Sequence, residues 1–283
     1  MLDLSKLTKP YLISEIGINH NGDIKIAKKL MDATFACSWD CAKLQKRNPE
    51  VSTPEHQKNV ERETPWGKMT YLQYKYKIEF GRSEYDILDK YCKEKPLDWT
   101  ASVWDLDSLE FLMQYDLPFL KIPSAHNQNN ELIIESCKTG LPIILSIGMS
   151  TIEEVDDTVN ILVKNAKQFA ILHTNSSYPA KNEELNLLMI PKLKERYNCI
   201  IGYSGHEYGL DSTTIAVALG ALIVERHITL DHMMWGTDQS SSVEIQGMDK
   251  LYKQVNSIKF YLGDGVKKIY ESELSIRNKL RGR

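Results

Sequence analysis

Short apolar runs alternate along this chain with longer segments in which apolar residues recur every three or four positions. The short runs are typical of strands that a parallel sheet buries on both faces, and the longer segments are typical of amphipathic helices that cover such a sheet. The pattern predicts eight strands, at Tyr11–Gly17, Cys41–Lys46, Trp99–Trp104, Phe119–Ser124, Pro142–Gly148, Phe169–Asn175, Cys199–Ser204 and Leu222–Ile228.

The helices between these strands are predicted from the same spacing and from residues suited to helix ends. Ser83 is expected to open the helix Glu84–Lys93, and Ser150 with Glu153 is expected to form a capping box. The remaining predicted helices are Asp23–Cys37, Tyr71–Phe80, Asp107–Gln114, Asn130–Cys137, Glu183–Tyr197, Leu210–Leu219 and Met248–Leu262.

Eight strand–helix units in about 250 residues match a closed (β/α)8 TIM barrel, and an open doubly wound sheet is the alternative. The segment Arg47–Thr70 is too long for an ordinary connection, so we expect a long insertion after the second strand that lies over the working face. The predicted domains are a barrel over residues 1–262 and a C-terminal tail over 263–283.

Polar residues follow nearly every predicted strand, at the point where the strand ends. In a TIM barrel the carboxyl ends of all strands form one face, and that face carries the active site. The strand-end residues are Glu15, Lys43, Gln45, Ser102, Lys121, Ser124, Ser146, Thr174, Asn175, Ser176, Ser204, His206, Glu225 and His227. Charged residues at so many strand ends favour a catalytic face over a set of solvated ends.

Two lysines within apolar strands, Lys43 and Lys121, are predicted to form an anion site together with nearby hydroxyl groups. Lysine supplies a point charge, and hydroxyls and loop amides supply directional donors, a combination that suits phosphate. The contributing hydroxyls are Ser102, Ser124, Ser146 and Ser204. The chain has no nucleotide-binding glycine motif, so the expected phosphate belongs to a smaller molecule.

His206 and His227 follow neighbouring strands and are a candidate pair of ligands for a divalent cation. Two protein ligands leave coordination positions free for water and a substrate oxygen, as polarisation of a carbonyl group requires. Glu15 is a candidate general acid or base, and Asp238 is expected to contact a polar substrate. His20 and His173 are weaker candidates.

Composition narrows the classes of partner and location. The 283-residue chain has a formal charge of −3 and no basic stripe, which argues against a nucleic-acid partner. No apolar run reaches the ~18 residues of a membrane span and no leader pattern is present, so we expect no membrane partner and a cytoplasmic location. The five cysteines, odd in number, are expected to be reduced thiols.

Eight segments, in order, resemble the sialic acid synthases, the N-acetylneuraminate synthase family and its relatives for other nonulosonic acids. They are S-E-I-G-I-N-H-N-G (Ser14–Gly22), A-K-L-Q (Ala42–Gln45), L-K-I-P-S (Leu120–Ser124), I-L-S-I-G-M-S (Ile144–Ser150), H-T-N-S-S-Y-P (His173–Pro179), G-Y-S-G-H (Gly202–His206), V-E-R-H (Val224–His227) and G-T-D (Gly236–Asp238). They extend over nearly the whole predicted barrel.

The resemblance implies a metal-dependent condensation of phosphoenolpyruvate with an open-chain aldose similar to N-acetylmannosamine, with phosphate released by C–O cleavage. It implies that His206 and His227 bind Mn²⁺, with Mg²⁺ or Co²⁺ as alternatives. The implied catalytic residues are Glu15, Lys121 and Asp238, and the implied sugar contacts are Gln45, Tyr178 and Asp238. The implied phosphoenolpyruvate contacts are Lys43, Ser102, Lys121, Ser124, Ser146, Ser176 and Ser204.

The chain departs from the family pattern at three places. It has A-S-V-W (Ala101–Trp104) where T-P-F is usual, and S-A-H (Ser124–His126) where S-G-E or S-A-D is usual. The family generally adds a C-terminal antifreeze-like domain that contributes to the site of a partner subunit, and residues 263–279 resemble the segment leading into it. A homodimer is therefore implied, and the domain is expected either to be absent or to be a separate antifreeze-like protein.

Three alternative functions stay open. A sister phosphoenolpyruvate-using synthase that makes a 3-deoxy-ulosonic acid phosphate would need more basic residues at the mouth of the site, where Lys46 and Arg47 are available. A Schiff-base aldolase would use Lys121 or Lys43. A barrel that binds sugar phosphates without catalysis is the third alternative.

Overall fold

The barrel is formed by eight parallel strands, which are ordered along the sheet as they are in the chain. They are, as β1 to β8, Tyr11–Gly17, Cys41–Lys46, Asp98–Val103, Leu120–Ile122, Ile143–Ser146, Phe169–Thr174, Ile200–Gly205 and Ile223–Thr229. The sheet closes because β1 pairs with both β2 and β8. The structure, a computed structural model that describes residues 1–281, confirms the TIM barrel and excludes the open sheet.

Helices follow the strands around the outside of the barrel. They are Ile24–Ala36, Pro49–Ser52, Glu55–Lys58, Tyr71–Ile78, Arg82–Glu94, Leu106–Leu112, Asn130–Lys138, Ile152–Asn165, Met189–Tyr197, Asp211–Ala218, Ile245–Leu262 and Glu271–Arg281. Within residues 1–281, no helix combines the length and apolar character needed to cross a membrane. The five cysteines are free thiols, four of them buried.

Both predicted helix N-caps were wrong, by one or two residues. The helix assigned to Ser83 begins at Arg82, because the Gly81 amide donates a hydrogen bond to the Glu84 carboxylate at 3.0 Å. The capping box assigned to Ser150 and Glu153 belongs to the following residue pair, Thr151 and Glu154. The Ser150 hydroxyl instead accepts a hydrogen bond from the Asn127 amide at 2.7 Å.

The predicted helix Glu183–Tyr197 is interrupted. Asn182–Glu184 is a single 3-10 turn, and the α-helix starts only at Met189. Between them Asn186 has φ 45°, in the left-handed region that ends helical structure. The final helix, Glu271–Arg281, was not predicted, and none of its side chains is buried.

The barrel interior has two layers. Near the amino ends of the strands it is filled by apolar side chains, among them Ile13, Cys41, Phe119, Ile144, Leu172 and Ile223. Because side chains in a strand point to the same face at every second residue, the next inward layer contains the residues two positions later. Those residues form the upper layer, at the carboxyl ends of the strands.

The insertion after β2 is docked over the carboxyl end of the barrel. At its base the Asn48 amide donates to Asp105 at 2.7 Å, and the Lys46 ammonium lies 2.7 Å from the Glu79 carboxylate. At its tip Trp66 packs edge-on against Trp235, which follows β8, with ring centres 5.7 Å apart. The insertion therefore extends from β2 to the loop after β8.

Candidate active site

A cavity opens at the carboxyl end of the barrel. The predicted site residues that line it are Glu15, Lys43, Gln45, Ser102, Lys121, Ser124, Ser146, Ser176, Tyr178, Ser204, His206 and His227. Asp238, the remaining predicted residue, lies just outside this lining, with its carboxylate 3.8 Å from Nδ1 of His227. Eight strands thus bring the predicted residues to one place.

The base of the cavity is a buried cluster of two lysines and two glutamates. The Lys43 ammonium lies 2.5 Å from Glu15 and 3.6 Å from Glu225, and it donates to the Ser102 hydroxyl at 2.8 Å. The Lys121 ammonium donates to the Ser146 hydroxyl at 2.8 Å and lies 3.9 Å from Glu225.

Burial and mutual charge set the protonation of this cluster. Burial lowers the pKa of Lys121 to about 8. Burial also disfavours the charged form of Lys43, but the carboxylates of Glu15 and Glu225 outweigh it and raise the pKa of Lys43. Burial, reinforced by the Glu225 carboxylate and opposed by Lys43, raises the pKa of Glu15. Glu15 is therefore suited to hold and transfer a proton.

The cation of Lys121 is close to a cluster of small polar groups around Gly148. The Gly148 amide donates to the Ser124 hydroxyl at 3.1 Å. A methyl group at Gly148 would lie 2.3 Å from the Ser176 hydroxyl and 2.9 Å from the Ser124 hydroxyl. Only glycine fits at this position, which leaves hydroxyl groups free to converge on an anion beside the two lysines.

His206 and His227 face each other across the cavity, with ring centres 5.4 Å apart. Burial lowers the pKa of His206 to about 4 and also lowers the pKa of His227, so both rings are neutral, the form that binds metal ions. Nδ1 of His206 contacts the Asn175 carbonyl at 2.6 Å, which leaves Nε2 as the ligating atom. Nδ1 of His227 is buried and has no hydrogen-bond partner among the residues that the structure describes.

These properties fit a divalent cation held by two imidazoles. Among residues 1–281, no group of three or more His, Cys, Asp or Glu side chains is placed to hold a metal ion. A cation bound there would have coordination positions open for water and substrate oxygens.

Two polar side chains, Gln45 and Tyr178, contact the predicted catalytic and metal-binding residues. The Gln45 amide donates to Glu15 at 2.8 Å, which orients that carboxyl group. The Tyr178 hydroxyl lies 3.0 Å from Nε2 of His206, and its ring is 4.2 Å from the same imidazole. A substrate oxygen that reaches His206 must therefore pass Tyr178.

The two weaker histidine candidates are not at the cavity. His20 accepts a hydrogen bond from the Gly22 amide at 3.0 Å and stacks on Phe80, with ring centres 4.0 Å apart. Nε2 of His173 contacts the Leu185 carbonyl at 2.7 Å. Both histidines stabilise loops.

Two residues that line the cavity, Glu225 and Trp104, were not predicted to have a role. Glu225 contacts both buried lysines, and its position at the end of a strand was the available signal. Trp104 lines the cavity within the A-S-V-W segment and packs edge-on against the His126 ring at 5.2 Å. The two departures from the family pattern, at Trp104 and His126, are thus in contact with each other.

Comparison with known proteins gives one consistent family. The model of the NeuB family matches residues 30–267. N-acetylneuraminate-9-phosphate synthase from Homo sapiens is 35% identical over 95% of this chain and 76% of its own length. N,N'-diacetyllegionaminic acid synthase from Campylobacter jejuni is 33% identical over 94% of this chain and 81% of its own length. The fold is also similar to the crystal structure of N-acetylneuraminic acid synthetase from Leptospira borgpetersenii in complex with citrate, with a TM-score of 0.85 and 30% sequence identity. The match extends over 98% of this chain and 94% of the Leptospira chain.

Proposed function

The chain belongs to the NeuB family and is an enzyme of the sialic acid synthase type, and from this premise we propose that it condenses phosphoenolpyruvate with an open-chain aldose similar to N-acetylmannosamine. Carbon 3 of phosphoenolpyruvate attacks the aldehyde carbon, water adds at carbon 2, and the bond from carbon 2 to the bridging oxygen breaks. The products are a nonulosonic acid and inorganic phosphate. The observation that supports this most is the pair of buried lysines beside two neutral histidines in one cavity.

Phosphoenolpyruvate would bind at the lysine end of the cavity. Lys43 and Lys121 would neutralise its carboxylate and phosphate, and hydroxyl groups would donate to the same oxygens. The hydroxyls are those of Ser102, Ser124, Ser146, Ser176 and Ser204. Because both ammonium groups already contact serine hydroxyls, the donors are oriented before substrate arrives.

The aldose would bind at the histidine end. His206 and His227 would hold a divalent cation, Mn²⁺ or alternatively Mg²⁺ or Co²⁺, whose chemistry when bound is to polarise the aldehyde carbonyl. Gln45, Tyr178 and Asp238 would contact the sugar hydroxyl groups.

Glu15 would act between the two substrates, as the group that transfers a proton or stabilises positive charge at carbon 2. Its raised pKa suits proton transfer, and the Lys43 ammonium, 2.5 Å away, stabilises the carboxylate that remains once the proton has left. Lys121 and Asp238 would assist by holding the reacting groups in place.

The test is release of inorganic phosphate from phosphoenolpyruvate with Mn²⁺ and a panel of N-acetylated and phosphorylated aldoses. We expect release that depends on the aldose and stops when a chelator removes the metal. Phosphoenolpyruvate labelled with ¹⁸O at the bridging oxygen should give labelled phosphate, because C–O cleavage leaves that oxygen on phosphorus. No release with any aldose in the panel would refute the proposal.

A Schiff-base aldolase is the second candidate, because a buried lysine with a pKa of about 8 is also a suitable nucleophile. Borohydride would then trap the substrate covalently on Lys121. Chelator-sensitive phosphate release without trapping would exclude this candidate.

The relatives are named for different products, which include a 9-phosphate and free acids. Whether the aldose carries a phosphate group is therefore a point on which the family divides.

A further inference from the structure

Three cationic side chains lie near the cavity: Arg47 and Arg62 of the insertion, and Lys75 of the helix Tyr71–Ile78 that follows it. Arg47 and Lys75 are 5% and 8% exposed, and Arg62 is half-buried. Cζ of Arg62 and Nζ of Lys75 lie 4.6 Å and 4.9 Å from the centre of the same Tyr71 ring. Like charges held this closely out of water repel each other, so the cluster is unfavourable unless an anion compensates its charge.

Within the described part of the chain, these cations have few carboxylate partners. No carboxylate of residues 1–281 lies within ion-pair distance of Lys75. Arg47 has one contact, 3.9 Å from Nε to Glu79, and Glu79 is already bound by Lys46 at 2.7 Å. Burial, followed by the field of Arg47, lowers the pKa of Lys75 to about 7, and the more distant carboxylates of Asp238 and Glu79 offset this only in part.

The cluster borders the site of the proposed reaction from two sides. The Arg47 guanidinium stacks on Trp104, 4.2 Å from the ring centre, and Trp104 lines the cavity. On the other side Lys75 lies in the field of Asp238, whose carboxylate is 3.8 Å from His227. An aldose with its aldehyde at the histidines would extend its far end towards these cations.

We propose that Arg47, Arg62 and Lys75 form a second anion site that binds the phosphate group of a phosphorylated aldose. This inference rests on the proposed function, because it takes the aldose end of the cavity as given. With Glu79 bound to Lys46, the carboxylate that these cations share among the described residues is that of Asp238. Arg47 and Arg62 then leave a surplus of one positive charge, and Lys75, with a pKa of about 7, brings the surplus to between one and two. A phosphate monoester carries a charge of about −1.5 to −2 at neutral pH, which matches that surplus.

The chemistry of the cluster also distinguishes it from the lysine end of the cavity. Lys43 and Lys121 have carboxylates and serine hydroxyls around them before any substrate binds. Arg47 and Lys75 instead lie against aromatic rings, whose faces exclude water but offer the cations no oxygen acceptor. An arriving phosphate would therefore supply the acceptors that both cations lack.

The test compares N-acetylmannosamine 6-phosphate with N-acetylmannosamine on the full chain. Calorimetric titration should show that the wild type binds the phosphorylated sugar roughly 10- to 100-fold more tightly, the range of one charge-assisted hydrogen bond. Lys75→Met, which keeps the side-chain length, should remove most of that preference, and Lys75→Arg should restore part of it.

Lys77→Met is the matched control, because Lys77 lies on the same helix but is exposed to solvent. It should keep the wild-type preference. Equal binding of the two sugars by the wild type, or equal loss of preference in Lys75→Met and Lys77→Met, would overturn the inference. If Lys75→Met does not fold, the preference of the wild type and of Lys75→Arg decides.

Phosphate release from phosphoenolpyruvate is measured in parallel with both sugars. Preferential binding of the 6-phosphate without any release of phosphate would support the second anion site and would contradict the synthase reaction. Release that is as efficient with the unphosphorylated sugar would retain the synthase and reject the second anion site.

Discussion

The apolar and the charged layers of the barrel interior are built from the same strands and are equally hidden from solvent. Phe119 and Lys121, two residues apart on β4, are 0% and 1% exposed. On β1, Ile13 and Glu15 show the same change of character, at 0% and 2%. The two layers therefore differ in the charge of their side chains and not in their exposure to solvent.

The two layers have opposite effects on stability. Burying an apolar side chain stabilises the fold by about 1.5–3 kcal/mol. Burying a charge has a desolvation penalty, which the attraction of its partners compensates only in part. The lowered pKa of Lys121 indicates that its desolvation penalty is not fully compensated, since the surroundings disfavour its charged form. A layer that costs stability in this way is expected where a ligand completes it.

The largest expected effect comes from removing an imidazole from the charged layer. His206→Ala or His227→Ala should lower phosphate release by about a thousandfold or more, since the proposed polarisation of the aldehyde is worth several kcal/mol. Release is measured at saturating phosphoenolpyruvate and Mn²⁺. His56→Ala, at an exposed histidine of the insertion, is the control and should keep full activity. Wild-type rates in either cavity variant would reject the metal assignment.

Phe119→Ala tests the apolar layer. It should destabilise the protein by about 3–5 kcal/mol, because it removes a buried ring and leaves a cavity. The urea midpoint measures this effect, and Phe260→Ala, at a residue 74% exposed, should shift the midpoint little. Below the unfolding transition, the KM for phosphoenolpyruvate should be unchanged. A raised KM with an unchanged midpoint would contradict the division into layers.

Lys121→Met is the converse test, on the same strand. It should raise the KM for phosphoenolpyruvate roughly 10- to 100-fold, because it removes one charged donor to the anion. Its effect on the urea midpoint should be smaller than that of Phe119→Ala, because the methionine loses a charge that the protein interior disfavours. An unchanged KM with a normal rate would remove Lys121 from the anion site.

The smallest expected effect is a pH dependence of stability. In the folded protein the pKa of Lys121 is about 8, below its unfolded value of about 10.5, so the unfolded chain binds more protons between these values. The penalty for burying the charge is therefore complete below pH 8 and disappears as the pH rises towards 10.5. The wild type should gain stability relative to Lys121→Met across pH 8–10, as measured by urea midpoints at each pH. A parallel pH dependence of the two proteins would contradict the assignment.

Much of the fold could be predicted because it depends on local periodicity. The bounds of β1 and β2 were predicted without error. Of the thirteen predicted site residues, the strand-end rule identified eleven that line the cavity, and the family resemblance added Tyr178. The errors fall where tertiary contacts choose between local options. Ser150 and Thr151 are both suitable caps, and the hydrogen bond from Asn127 decides between them.

The sequence by itself determined which strand residues point towards the barrel axis, because successive side chains alternate between the two faces of a strand. It also determined which end of each strand is polar. Only the tertiary structure decided how those groups act on one another. The contacts of Glu225 with two lysines, and the meeting of Arg47, Arg62 and Lys75 over Tyr71, join segments far apart in the chain. Periodicity reports the direction in which a side chain points, but charge coupling depends on distance through space, which is set when the barrel closes and the insertion docks.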